Sequence, residues 1–329
     1  MFENQTILIT GGTGSWGYEL TRRLLTYQPK EIRVFSRSED AQVRMLRAFN
    51  HNPLLKFVIG DVRDFQAVTE ACKGVNYVFH LAALKHVPIC EEQPYEAIKT
   101  NIAGTEHIIR ASILHGVEKV INVSTDKAVN PVNLYGLTKA IGEKLITQAN
   151  FQSEKTKFVS VRGGNVLGTN GSVVPFFKKQ ILEGKDVTLT SQSMTRFFLT
   201  VSDSIDLLVK AAEISSGGEI FVMKMSCCRI ADLAKVLIRN FSQTEVNIQE
   251  VGVRLGEKLH EALLTKYEST HSYQYMDQYF IILPAHLDVS DFPQYKDLPK
   301  VALEEYESTQ DLMTEEQIEK LLQRGGFLL

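Results

Sequence analysis

A run of β-branched and apolar residues, Thr6–Thr10, breaks directly into Gly11-Gly12-Thr13-Gly14-Ser15-Trp16-Gly17. The glycines fall at G-x-x-G-x-x-G spacing, and a helical pattern begins at Ser15. This junction constrains the fold more than any other part of the chain. Glycine permits the tight turn and lets the backbone approach a pyrophosphate, while the helix start offers unpaired N–H groups and a positive dipole end. A glycine string alone is a weak signal. Between the first strand and first helix of a βαβ unit it points to a bound dinucleotide.

The alternation continues through the first half. Strands are expected at 6–10, 31–36, 56–59, 77–80, 119–123 and 157–161. Helices are expected over 15–27, 39–50, 65–73, 95–115 and 134–150. Such alternation means parallel pairing with right-handed crossovers, a doubly wound α/β sheet of Rossmann type. After Arg162 the pattern loosens, with helices expected over 173–182, 203–214, 230–240 and 314–324, and short strands at 218–223 and 246–251. The segment 287–300 reads as irregular. Thr314 and Gln317 have capping-box spacing. We expect a dinucleotide-binding domain over 1–165 and a smaller α/β substrate-binding lobe over 166–329, with some of its elements returning to the first sheet.

A chain of 329 residues with 44% hydrophobic content can bury a large core. Net charge is −3 and no long basic run appears, which argues against a nucleic-acid surface. Cys72, Cys90, Cys227 and Cys228 show no C-x-x-C spacing, so neither a metal site nor a disulfide is expected. Residues 1–5 lack the features of a leader, and no apolar run approaches a membrane span. A soluble cytoplasmic protein is expected.

The second strand ends in Ser36 and Arg37, where NAD enzymes usually carry an acidic residue for the ribose 2′-hydroxyl. A hydroxyl and a guanidinium suit a 2′-phosphate, so NADP is expected over NAD. The alternative makes Arg37 a surface residue and Glu39 or Asp40 the ribose acid. Asp61, after the third strand, stands where a carboxylate could accept from an adenine amino group. Leu81, Ala82 and Ala83 close the fourth strand and let a cofactor lie close. Asp64 reads as a helix N-cap.

The chemistry lies in Ser124-Thr125-Asp126-Lys127 and in Tyr135 and Lys139. Tyr135 and Lys139 share a helix face. A nearby ammonium favours phenolate, so Tyr135 can take a proton from a substrate hydroxyl as hydride leaves. Ser124 or Thr125 can bond the same oxygen. Asp126 and Lys127 add acid/base capacity. A carbonyl acidifies the neighbouring C–H, so one group can remove that proton while the other helps a β-hydroxyl depart. Lys127 serves as base only if burial depresses its pKa, and adjacent opposite charges oppose both roles. The assignment stays open on these grounds, as does an exposed ion pair.

These residues resemble the extended short-chain dehydrogenase/reductases, and within them the inverting UDP-N-acetylglucosamine 4,6-dehydratases of polysaccharide and flagellin-sugar synthesis. The matching strings span most of the chain. They include Gly60-Asp61-Val62-Arg63-Asp64, Ala82-Ala83-Leu84-Lys85-His86, Lys99-Thr100-Asn101-Ile102, and Ser124-Thr125-Asp126-Lys127. Others are Asn165-Val166, Gly171-Ser172-Val173-Val174-Pro175-Phe176, Met194-Thr195-Arg196-Phe197, and 252–258 with Arg254 and Glu257.

The resemblance implies a lyase with tightly bound NADP, acting on UDP-N-acetylglucosamine as a homo-oligomer. It implies that Tyr135 takes the C4 hydroxyl proton, Lys127 removes the C5 proton, and Asp126 assists loss of water from C6. Hydride then returns to C6, with C5 inverted. Val62, Lys85 and Asn101 join the glycine loop, Trp16 included, as cofactor contacts. Lys85, Thr125, Asn165, Thr195, Arg196, Arg254 and Glu257 are implied for the nucleotide sugar. The run 173–176 would frame the uracil, and Arg196 and Arg254 would meet the diphosphate. Many relatives carry Arg-Tyr-Gly-Asn where this chain has Arg162-Gly163-Gly164-Asn165. Loss of that ring is expected to enlarge the space near the nicotinamide or sugar, and could leave a 5,6-alkene with C4 re-reduced. A UDP-sugar 4-epimerase, which needs no Asp-Lys pair, is the other alternative.

Overall fold

The computed structural model describes residues 1–169 and 171–328. Its first half alternates strand and helix: β1 (Thr6–Thr10), α1 (Ser15–Leu25), β2 (Glu31–Ser36), α2 (Glu39–Ala48), β3 (Leu55–Ile59), α3 (Phe65–Cys72) and β4 (Tyr77–His80). Then come α4 (Val87–Glu92), α5 (Pro94–Ile98) and α6 (Gly104–His115), with a π-helical turn, Lys99–Ala103, between the last two. β5 (Lys119–Thr125) runs through a 3-10 turn, Asp126–Ala128, toward α7 (Leu134–Ala149) and β6 (Lys157–Gly163).

The second half holds β7 (Asn165–Val166), α8 (Val173–Leu182), β8 (Val187–Leu189), β9 (Thr195–Leu199), α9 (Val201–Ile214), β10 (Ile220–Met223) and β11 (Ser226–Arg229). It continues with α10 (Ile230–Phe241), β12 (Ile248–Glu250), β13 (Ala262–Leu264), α11 (Lys266–Ser269), β14 (Ser272–Tyr275), β15 (Tyr279–Ile282), β16 (Tyr306–Glu307) and α12 (Glu315–Arg324).

Nine strands form the main sheet in the order β14-β15-β10-β6-β5-β4-β1-β2-β3. Pairing is parallel from β3 through β10, and β15 and β14 add antiparallel. Every residue of β1 and β4 is buried, as a sheet covered on both faces requires. Leu8, Phe35 and Val78 pack on one face with residues of α3, α6 and α7, while Ile7, Ile9 and Phe79 pack on the other with α1 and α9. A separate core lies among α8, α10 and α12. The chain winds outward from β1 in both directions, so a crevice opens beyond the carboxyl ends of β1 and β4.

Three strands of the second half, β10, β14 and β15, return to this sheet, and Asp64 caps α3 by accepting from the Gln66 and Ala67 amides. The capping box of Thr314 and Gln317 also forms. One helix expected over 95–115 is instead broken by the π-helical turn. The segment 287–300 carries two 3-10 turns, Val289–Asp291 and Pro293–Tyr295. Several short strands of the second half, β9 and β11 among them, have no counterpart in the sequence reading. Thr195–Leu199 is buried throughout, so it lacks the alternation that marks a half-exposed strand.

Candidate active site

A cleft of about 1110 Å³ runs from the β1–β4 crevice across the ends of β5 and β6 to α8. Gly11 shows why its first wall needs glycine: a Cβ there would lie 2.9 Å from the Ala82 amide nitrogen and Cα, and its φ is +66°. Gly17 is equally constrained, since a Cβ would come within 2.3 Å of the Gly12 carbonyl oxygen. Gly11, Thr13, Gly14, Ser15, Trp16 and Gly17 line the cleft, as do Ser36, Arg37, Asp61, Val62, Leu81, Ala82, Ala83 and Lys85. This wall has the form of a dinucleotide cradle. Gln42 donates to the Ser36 hydroxyl oxygen at 3.0 Å, so the Ser36 hydroxyl keeps its own proton to donate. Asp40 pairs with Arg44 on the exposed side of α2, and neither Glu39 nor Asp40 lines the cleft. The Asp61 carboxylate accepts from the Arg63 amide and guanidinium. Burial opposes its charge, but these bonds hold its pKa below the usual carboxylate range.

Tyr135 and Lys139 stand one turn apart near the start of α7, and both line the cleft beside Thr125 and Lys127. Asn133 caps this helix by accepting from the Gly136 amide at 2.8 Å. Gly136 lets the helix start sit directly on the Asp126–Ala128 turn, because a Cβ there would be 2.1 Å from the Lys127 carbonyl oxygen. Burial pushes the Tyr135 phenol up to about 12, with Lys127 and the Thr125 hydroxyl opposing. Burial pushes the Lys139 ammonium down to about 8, partly offset by Glu143. Glu143 itself is held by Arg162 through bonds of 2.9 and 2.7 Å, and Arg162 also binds Glu268.

Asp126 is fully buried and lies behind the cleft wall. Its Oδ1 accepts from the Thr125 hydroxyl at 2.8 Å and from Lys127 Nζ at 3.1 Å. Lys127 Nζ also lies 3.4 Å from Asn165 Oδ1 and 3.5 Å from Glu261 Oε1. Burial disfavours the Lys127 charge, but Asp126 and Glu261 outweigh it and raise its pKa. The depressed value that a simple base would need is therefore not what this arrangement gives. Glu261 is absent from the sequence reading, although it stands three residues beyond Lys258, where the matching string stops.

Asn165, Val173, Val174, Pro175, Phe176, Arg196, Arg254 and Glu257 line the far end of the cleft. Three of the expected contacts have side chains engaged within the fold. Thr195 is buried, its hydroxyl bonded to His260 and Ser308. Asn101 lies outside the cleft wall and clasps the backbone of Leu84 at 2.8 and 2.9 Å while donating to Thr138. These bonds fix the loop at Leu84. Arg196 directs its guanidinium at the carbonyls of Thr195, Lys258 and Leu259, which removes those donors from any diphosphate. Gly163 lines the cleft, but the Trp16 ring takes part of the space beside it. A Cβ there would lie 3.3 Å from Trp16 Cη2, so the indole stands where the missing ring was expected to leave room.

A family model for polysaccharide biosynthesis proteins matches residues 7–283. The chain belongs to that family. Among its relatives is the UDP-N-acetylglucosamine 4,6-dehydratase (inverting) of Campylobacter jejuni, 45% identical over 87% of this chain and 84% of that protein. The UDP-glucose 4-epimerase of Rickettsia rickettsii is 47% identical over 85% of this chain and 84% of that protein. The X-ray structure of Pen from Bacillus thuringiensis superposes with a TM-score of 0.93 at 37% identity, covering 100% of both chains. These relatives carry the extended short-chain dehydrogenase/reductase assignment across most of the length.

Proposed function

We propose that this protein is an NADP-dependent UDP-N-acetylglucosamine 4,6-dehydratase that inverts C5. The observation that carries the reading is Lys127, set between buried carboxylates on the same cleft wall as Tyr135 and Lys139. A hydride step alone needs only the tyrosine and Lys139. A cluster able to store and release protons suits an elimination as well. The Campylobacter relative supports the substrate class.

The glycine cradle and the Ser36 and Arg37 side chains that line it fit a dinucleotide with a 2′-phosphate. NADP held there would accept hydride from C4 of the sugar and return it to C6. Tyr135 takes the C4 hydroxyl proton; burial pushes its phenol up, and the Lys127 ammonium and the Thr125 hydroxyl act against that rise. Lys127 rests as an ammonium, so it first passes a proton to Asp126 Oδ1, 3.1 Å away, and then takes the C5 proton once C4 is a ketone. Asp126 assists departure of the C6 hydroxyl as water, acting through its two contacts, Thr125 and Lys127. Inversion requires that C5 regain a proton from water on the face opposite Lys127, while Lys127 releases the one it took. In this reading residues 1–165 hold the dinucleotide and 166–329 the nucleotide sugar, with Arg254 and 173–176 at its UDP end. No described helix is long and apolar enough to cross a membrane. We place the protein in the cytoplasm, where its four cysteines stay free. Exposed Leu137 and Ile141, one turn apart on α7, suit a homo-oligomer.

Incubation with UDP-N-acetylglucosamine should yield a product lighter by one water in the mass spectrum. An unchanged mass sinks the dehydratase reading and favours the 4-epimerase that the rickettsial relative suggests. An NMR spectrum of the product separates the 4-keto-6-deoxy sugar from a 5,6-alkene of the same mass.

A further inference from the structure

The charge cluster around Lys127 has a third buried member besides Asp126 and Arg196. The Glu261 side chain is 3% exposed. Its Oε1 lies 3.5 Å from Lys127 Nζ and 3.9 Å from Arg196 Nε, and its Oε2 lies 3.4 Å from Lys258 Nζ. Oε2 makes no hydrogen bond. Leaving a carboxylate in such a place is costly unless cations answer it.

The backbone around Glu261 is pinned from several directions. Its amide donates to the Ser308 hydroxyl at 2.9 Å, and the Ser308 amide donates to its carbonyl at 2.8 Å. Arg196 holds the Lys258 and Leu259 carbonyls. Lys258 donates to the Val129 carbonyl at 2.6 Å and Asn133 to the Gly256 carbonyl at 2.8 Å, which ties the loop to the catalytic turn. Lys127 thus stands between two carboxylates presented by different parts of the chain, Asp126 from the end of β5 and Glu261 from the start of β13.

We propose that Glu261 is a positioning residue for Lys127, fixing its ammonium beside Asp126 and setting the pH range over which it can give up its proton. The inference rests on the reading of Lys127 as the proton carrier of the dehydratase reaction. The charged and titratable groups facing this pair are Asp126, Arg196, Lys258 and Tyr135. Asp126 and Glu261 pull toward the ammonium; Arg196 and burial push against it. A purely structural Glu261 would serve to neutralise Arg196 and Lys258 and would leave Lys127 unaffected.

The test is competitive acetylation of Lys127 in the substrate-free protein as pH is raised, read by peptide mass spectrometry. Glu261→Gln should lower the Lys127 midpoint by about 1–3 units, the usual effect of losing an opposite charge at this range. Glu261→Asp, which keeps the charge but withdraws it by one methylene, should lower it less. An unchanged midpoint in folded Glu261→Gln overturns the proposal. If that variant does not fold, an unchanged midpoint in Glu261→Asp overturns it. In a second arm, solvent-deuterium exchange at C5 of the nucleotide sugar should show its acid-side midpoint displaced in the same direction. Absence of exchange in the parent refutes the dehydratase reading, while the labelling result still decides the role of Glu261.

Discussion

Lys139 carries a cost that can be measured without any substrate. The residue is 5% exposed, and Glu143, the carboxylate that acts on it, is already committed to Arg162. Burial lowers its pKa from 10.5 to about 8. Between those two values the unfolded chain binds the proton and the folded chain does not, so this group makes stability rise with pH across that window. Below about pH 8 the folded state bears the whole penalty, about 2.5 units or roughly 3 kcal/mol. Lys139→Met removes the charge and keeps the aliphatic bulk. The cofactor-free variant should therefore be more stable than the parent by up to about 3 kcal/mol at pH 7 in urea unfolding. That advantage should shrink by about 2 kcal/mol when both are measured near pH 9.5. The same variant should lose C4 oxidation, seen as no transient NADPH. A variant less stable than the parent at pH 7, or an advantage that does not change with pH, would refute the argument that Lys139 is held charged against its surroundings.

Other substitutions probe the supports of the site. Gly136→Ala places a methyl 2.1 Å from the Lys127 carbonyl oxygen, so the first turn of α7 must move. Circular dichroism should show the fold retained, while turnover drops on the order of 100-fold through displacement of Tyr135. Arg162→Leu leaves Glu143 and Glu268 buried without their shared partner and should cost about 3–5 kcal/mol in urea unfolding. Lys127→Ala should keep dinucleotide affinity, measured by fluorescence titration, and abolish deuterium exchange at C5; normal exchange would remove Lys127 as the base. Gly163→Tyr should destabilise by about 1–3 kcal/mol through its clash with the Trp16 ring, and Trp16→Phe in the same chain should recover part of that loss.

The first half was legible in the sequence because its signals are local. Thr6–Thr10 is an apolar run that meets a glycine turn, and the pattern repeats with a new strand and helix each time. Asp64 and Thr314 could be assigned as caps because a cap is decided within four residues. The second half was less legible because its strands depend on distant partners. β9 pairs with both β7 and β11, and β13 pairs with β16, each across long stretches of chain. Nothing within Ala262–Leu264 announces that Tyr306–Glu307 will lie beside it. Asn101 stands in a π-helical turn that no periodicity reveals, and its side-chain amide bonds the Leu84 backbone and Thr138.

The site follows the same division. Tyr135 and Lys139 are one helical turn apart, and Asp126 and Lys127 are neighbours, so sequence spacing alone brings each pair together. Glu261 reaches Lys127 only through a loop anchored by Arg196, Lys258 and Ser308. Gly163 makes the point most directly. Taken alone, the missing side chain reads as added space beside the sugar. In the structure that space is shared with Trp16, a residue of the glycine loop, whose ring approaches to within 3.3 Å of where a Cβ would stand. The volume at this point is therefore a property of the pair. Restoring a tyrosine at 163 without shrinking Trp16 tests a steric clash, not the course of the reaction. Whether the product is the keto sugar or an alkene is a question to put to the double variant, where the aromatic group has been moved across the site rather than added to it.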